Sequence, residues 1–330
     1  MRRRLGLALI VCGLVVPGAY AQQPVAEEES TSGQLVAIFG DMGLGEDARA
    51  VLRLLADEAP DLVLHLGDLA YNERDPFSPL SWSRLVHDAL GPDLPYLAAV
   101  GNHDIPVWPQ YDRLLTTRLA RTDDVRCEGD MGVDAGCVSG DLFIALSGVG
   151  TYPAARALSD HVERLGRRLA SASAPWKICA WHKNQRAMQP GEKRDEVGWA
   201  AYEQCRRAGA IIVTAHEHVY ARTRTLVDLP RRTVSPEAPA HDRLVVRPGS
   251  TFVVVSGLGG RSIRDQERCL PRTYPYGCNG EWASIYTSDQ DARPGVLFLR
   301  LSADEDRRWG SGYFKNIDCV IVDRFTIEGR

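Results

Sequence analysis

The chain has 330 residues, 44% of them hydrophobic and 25% charged, with a formal net charge of −4. Those proportions suit a globular protein with a substantial core, and they exclude a disordered chain. Nothing basic enough for nucleic-acid binding is present.

Arg2-Arg3-Arg4 precede an apolar stretch from Leu5 to Val16 and then Ala19-Tyr20-Ala21, a small-x-small cleavage pattern. Residues 1–21 therefore read as a signal peptide, which places the protein in a secreted or periplasmic compartment. The apolar run is too short and wrongly flanked for a span, so no stable membrane insertion is expected once the signal is cleaved. Without its three arginines the chain keeps 36 basic against 43 acidic side chains, a charge of −7. Residues 22–33 are mostly polar and acidic without periodicity and read as a flexible lead, with one domain expected over 34–330.

From Gln34 short apolar runs alternate with helical patterns. Leu35 to Phe39, Leu62 to Leu66, Tyr96 to Val100, Lys177 to Trp181 and Ile211 to Thr214 read as buried parallel strands, each stopping at a side chain that can ligate a metal. Helices are expected over Glu46 to Asp57, Ser78 to Leu90, Pro109 to Leu119, Leu158 to Ala172 and Val197 to Arg207, the second with Ser78 as N-cap and Pro79 at the first helical position. Asp41 and Asp68 lie 27 residues apart, and Asp68 and Asn102 lie 34 apart. Each interval is about one βαβ unit of ~30 residues. A strand is expected over Leu142 to Leu146. Val227 to Asp242 carries three prolines among charges and reads as an exposed insertion. Strands resume at Leu244 to Val246 and Thr251 to Ser256. Val296 to Leu301 and Cys319 to Ile327 alternate like an antiparallel pair in a second sheet.

Cys12 leaves with the signal, and the other seven cysteines meet an oxidising compartment. Cys127 with Cys137, and Cys269 with Cys278, sit in Gly- and Pro-rich loops and are expected to form disulfides. Cys179 and Cys205 either pair or stay as core thiols. Cys319 is expected to be a buried free cysteine.

Asp41-Met42-Gly43, Gly67-Asp68-Leu69-Ala70-Tyr71, Gly101-Asn102-His103-Asp104, His182 and His216-Glu217-His218 together, in this order and spacing, resemble the five motifs of the calcineurin-like metallophosphoesterases, most like the purple acid phosphatases. The resemblance implies a four-layer α/β/β/α sandwich with two mixed sheets. It implies Asp68 as a bridge between two metal ions, with Asp41, Tyr71 and His218 completing one set and Asn102, His182 and His216 the other. Two cations ~3.5 to 4 Å apart activate a hydroxide and neutralise phosphoryl oxygens, which suits a reaction as slow in water as phosphate-ester hydrolysis. A phenol after the second motif favours a hard trivalent ion, so the resemblance implies Fe(III) plus a divalent Fe, Zn or Mn.

His103 is implied to be the general acid, with Asp104 orienting it. Lys183, Asn184 and Arg186 either bind substrate phosphate or form a solvated loop. His65 reads as a core histidine, and His87, His161 and His241 as surface residues. Gly257 to Gly260 reads as a turn. Ala215 stands where the family usually has glycine. The expected function is that of an acid-phosphatase-type hydrolase of small phosphate monoesters, with a phosphodiesterase or nucleotide hydrolase on the same site, or a non-catalytic binding protein, as alternatives. Nothing in the sequence specifies an oligomeric state.

Overall fold

The computed structural model describes residues 33–152, 158–304 and 307–329. The expected signal peptide and all of the flexible lead but Gly33 lie outside the described residues. In chain order the strands are β1 (Gln34–Phe39), β2 (Leu62–His65), β3 (Tyr96–Ala98), β4 (Arg126–Asp130), β5 (Asp134–Ser139), β6 (Leu142–Ser147), β7 (Trp176–Ala180), β8 (Ile211–Thr214), β9 (Tyr220–Thr223), β10 (Leu226–Asp228), β11 (Thr233–Val234), β12 (Arg243–Val246), β13 (Val253–Ser256), β14 (Trp282–Tyr286), β15 (Gly295–Ala303), β16 (Arg308–Asn316) and β17 (Ile321–Gly329). The helices are α1 (Glu46–Glu58), α2 (Ser78–Leu90), α3 (Trp108–Leu119), α4 (Leu158–Ser171) and α5 (Ala200–Arg207).

Two large mixed sheets pack face to face. One runs β12-β17-β16-β15-β1-β2-β3, the other β14-β9-β13-β8-β7-β6-β5-β4. The near-continuous apolar runs of β1, β2, β7 and β8 are what strands covered on both faces require. Helices α1 to α3 accompany the first sheet, and α4 and α5 pack on the outer face of the second. The inner faces share one core that includes Val36, Ile38, Leu64, Ile178, Val213 and Val254. Ser256 Oγ ties the sheets at one point by donating to the Ile38 carbonyl at 2.9 Å.

The five strands that end at candidate ligands therefore split between the sheets. β1, β2 and β3 are parallel neighbours in one, β7 and β8 in the other. The C-terminal edges of both groups converge, where an α/β fold places its ligands.

Several expectations are corrected. Val296–Leu301 and the C-terminal strand do not pair with each other. β16 lies between them, and β15 pairs with β1, so all three belong to the sheet of β1 to β3. β16 reads as loop in sequence because Gly310 and Gly312 fill two of its inward positions; a Cβ on Gly312 would stand 2.2 Å from the Phe325 ring. Phe77, not Ser78, is the N-cap of α2, and α5 begins at Ala200. The Val227–Asp242 segment holds β11 and all of β10 but Leu226, and buries Leu229 and Ser235. His161 is buried rather than on the surface. Disulfides join Cys127 to Cys137, Cys269 to Cys278 and Cys179 to Cys205. Cys319 is half-exposed rather than buried.

Candidate metal centre

Three of the five strand ends, those of β1, β2 and β8, turn sharply. Asp41, Asp68, Tyr71 and His216 all have left-handed backbone, with φ of 60°, 58°, 57° and 65°. Such residues cost about 1–3 kcal/mol each and persist where surrounding contacts hold them. Asp104 supplies part of that hold for Asp68. Its carboxylate, buried, accepts from the backbone N–H of Asp68 at 2.8 Å, Leu69 at 2.9 Å and Gly101 at 2.9 Å. Gly101 is required there, since a Cβ would stand 2.0 Å from the Asp68 nitrogen. Ala215 is accommodated because the residue against it is Gly40, whose added Cβ would meet that of Ala215 at 2.6 Å.

In the first cluster Tyr71 donates its hydroxyl proton to Asp41 Oδ1 at 2.6 Å, and the Tyr71 hydroxyl oxygen lies 2.9 Å from His218 Nε2. His218 Nε2 is 3.3 Å from Asp41 Oδ1. Burial alone would raise the Asp41 carboxyl, but His218 and His182 outweigh it and hold it far below the usual carboxylate range. Burial, Asp41 and Asp68 push the Tyr71 phenol far above its usual value, so it ionises there only against a strong cation.

In the second cluster Asp68, His182 and His216 bring one ligand atom each within 4.8 Å of one another. His182 Nδ1 faces the Leu66 carbonyl at 2.8 Å, which only accepts, so Nδ1 carries the proton and Nε2 a lone pair. His216 Nε2 donates to Glu196 Oε2 at 3.2 Å, leaving Nδ1 as its lone pair. Those two lone pairs face each other at 3.2 Å, with Asp68 Oδ2 3.3 Å from His182 Nε2. Two lone pairs and a carboxylate oxygen repel unless a cation lies among them. A proton can stand in for that cation: against burial, Asp68 and Asp41 push His182 up to about 9, so its Nε2 lone pair is exposed to a metal only when that proton is displaced, whereas burial takes His216 down to about 4. Asn102 Oδ1 is buried without a hydrogen-bond partner. Orphaned acceptor, converging lone pairs and outer partners on each histidine (Ser262 Oγ lies 2.6 Å from His218 Nδ1) fit a metal pair.

His103 stands at the rim, its Nε2 3.9 Å from Asp68 Oδ2 and its Nδ1 bonded to Glu73. The expected Asp104–His103 contact is not made, since Asp104 is occupied by the three backbone groups. Arg261 lies 4.9 Å over the Tyr71 ring. Lys183 pairs with Glu196 at 2.5 Å, Asn184 is buried against Thr214 and the Ala215 carbonyl, and Arg186 is exposed. Gly259 N donates to the Gly40 carbonyl at 2.9 Å, so the glycine cluster buttresses the first ligand turn. His65 lies buried between Phe39 and Tyr96, pushed down to about 3 by burial.

Sequence reasoning missed Glu73, Glu196, Ser262 and Arg261. All four lie in polar loops without periodicity, and only the nearness of Glu73 to Tyr71 offered a signal.

The calcineurin-like phosphoesterase profile matches residues 35–220, from β1 through the last candidate ligand. In three dimensions the chain is similar to a purple acid phosphatase from yellow lupin (Lupinus luteus) seeds, with a TM-score of 0.62 and 18% identity over 90% of this chain and 54% of that one. It thus spans about half the length of that protein, and at this identity the likeness is one of fold. PhoD (TM-score 0.49, 11% identity, 88% of this chain, 71% of that one) and TT1561 of Thermus thermophilus (0.42, 14%, 68% and 90%) are more distant. No curated protein matches the sequence.

Proposed function

The chain belongs to the calcineurin-like phosphoesterase family, and on that premise we propose that it is a secreted or periplasmic dimetal hydrolase of phosphate monoesters. The observation that carries the reading is the convergence of the His182 and His216 lone pairs with Asp68, beside the Asp41–Tyr71–His218 cluster. Asp41, Tyr71 and His218 would hold one ion, Asn102, His182 and His216 the other, and Asp68 both. When bound, such a pair neutralises phosphoryl oxygens and makes water more acidic. A phenol held neutral by burial and its carboxylate neighbours ionises only against a strongly Lewis-acidic ion, which suits Fe(III) in the first position, with divalent Fe, Zn or Mn in the second.

The chain's own groups supply the rest. His103 gives a proton from Nε2 to the leaving alkoxide, while Glu73 fixes the ring through Nδ1 and keeps Nε2 turned toward Asp68. Asp104 holds the Asp68 turn in place, and Arg261 offers a cation at the mouth. The disulfides and the residue 1–21 pattern support export. Hydrolysis of p-nitrophenyl phosphate against the bis-p-nitrophenyl ester tests the assignment. The monoester should be the better substrate; preference for the diester would make the protein a phosphodiesterase, and hydrolysis of neither by the metal-loaded protein would overturn the reading. Exported protein should begin at Gln22, and an intact Met1 would contradict secretion by cleavage.

A further inference from the structure

The cations around the candidate centre differ in how they are occupied. Lys193 turns its ammonium to the His216 carbonyl, and Arg264 Nε lies 3.6 Å from Glu217 Oε1, a buried carboxylate. Arg261 has neither kind of partner. Its guanidinium is exposed and lies 4.9 Å over the Tyr71 ring, and no carboxylate or carbonyl of the described residues takes its protons. An aromatic face attracts the cation but offers no lone pair, so the guanidinium keeps its fork of donors for a ligand. The segment that carries it is nonetheless fixed. Arg261 N donates to the Asp41 carbonyl at 3.0 Å, Ser262 Oγ lies 2.6 Å from His218 Nδ1, and Arg264 N donates to the His218 carbonyl at 3.0 Å. Binding at Arg261 therefore has little more than one side chain to order.

Position decides which part of an ester Arg261 meets. The His103 ring packs against the same Tyr71 ring, with 4.7 Å between centroids. A general acid at His103 fixes the leaving oxygen on that side, so the alcohol half of the ester lies along the rim that Tyr71 shares with Arg261. Glu73, the carboxylate nearest His103 on that rim, is taken up by His103 Nδ1. Charge then limits what the alcohol carries. One guanidinium balances one negative charge, and its planar fork matches a carboxylate in two hydrogen bonds. A second phosphate, with nearly two charges, calls for a second open cation, and Lys193 and Arg264 are already engaged.

We propose that Arg261 sets the substrate specificity by binding a carboxylate on the alcohol half, so that the preferred substrates are phosphate monoesters of short hydroxy acids. This rests on the phosphomonoesterase reading. Phosphate at the metals and carboxylate at Arg261 then fix both ends of one small molecule.

Phosphoglycolate and its amide, phosphoglycolamide, have the same shape and differ in the carboxylate charge, so their KM ratio on the metal-loaded full chain reads Arg261. The acid should have a KM about tenfold lower, the size expected of hydrogen bonding between charged partners. In Arg261→Gln the ratio should fall toward one. 3-Phosphonopropionate, which cannot be hydrolysed, should bind the wild-type chain about tenfold more tightly than its amide by calorimetry, and the Arg261→Gln chain no more tightly. Equal KM values for the two esters in the wild type would overturn the proposal. So would an equal rise of both in Arg261→Gln, which places the guanidinium on the reacting phosphate instead. The phosphonates keep the two readings apart: charge-dependent binding through Arg261 by a chain that hydrolyses neither ester would sink the monoesterase assignment and leave the carboxylate site. Hydrolysis of both esters with equal KM, and equal affinity for both phosphonates, would do the reverse.

Discussion

Around Asp68 the candidate centre divides into a half that offers mainly oxygen, the Asp41 carboxylate and Tyr71 phenol with one imidazole, and a half that offers mainly nitrogen, the imidazoles of His182 and His216 with the Asn102 amide. The outer contacts differ as well. His182 is steadied by a neutral carbonyl and His216 by Glu196, itself fixed by Lys183. Burial opposes charge on Glu196, but His216 and Lys183 bring its pKa down to about 2, so it stays an acceptor across the acid range. An oxygen-rich half and a nitrogen-rich half sharing one carboxylate are suited to unlike ions, and that asymmetry is what the experiments below try to break.

The largest effect is expected from Asp68→Ala, which removes the group common to both halves. Activity should vanish and metal content should fall with it; two ions per chain retained in the variant would show that the halves do not depend on a shared carboxylate. His103→Ala should keep both ions while turnover falls about 10²- to 10⁴-fold, most with alkyl phosphates whose leaving group needs a proton. An unchanged rate on a simple alkyl phosphate would remove His103 from the reaction.

Tyr71→Phe acts on the oxygen half alone. It keeps the ring's packing, deletes the hydroxyl oxygen, and should weaken binding of the first ion and abolish the visible absorption expected of a ferric phenolate while the second ion stays. Smallest is Glu196→Gln, which touches only the nitrogen half through the His216 ring. An outer partner of this kind is worth about 10- to 100-fold in metal affinity, so the second ion should be lost first on chelator titration. Equal loss of both ions would argue against independent halves.

Much of this centre is legible in the sequence because chemistry there is tied to strand ends. A buried apolar run that stops at Asp41, Asp68, Asn102, His182 or His216 announces both its secondary structure and the metal-capable side chain at its end, and Pro79 marks the first turn of α2. The outer contacts are not legible, since Glu73 and Glu196 are ordinary acids in polar loops until folding brings them to His103 and His216. Asp104 reads by adjacency as a partner of His103, yet its oxygens turn back to three N–H groups of the Asp68 and Gly101 turns. β16 is hidden for a packing reason: its inward glycines leave room for Leu301 and Phe325, and so erase the apolar alternation that identifies a strand.

Metal analysis of the purified, active protein, with its visible spectrum, tests the central claim most directly. The unlike halves predict two ions per chain, one of them ferric and bound to the Tyr71 phenolate, with a charge-transfer band that disappears in Tyr71→Phe. A colourless protein, fully active with two identical zinc or manganese ions and no iron, would contradict it.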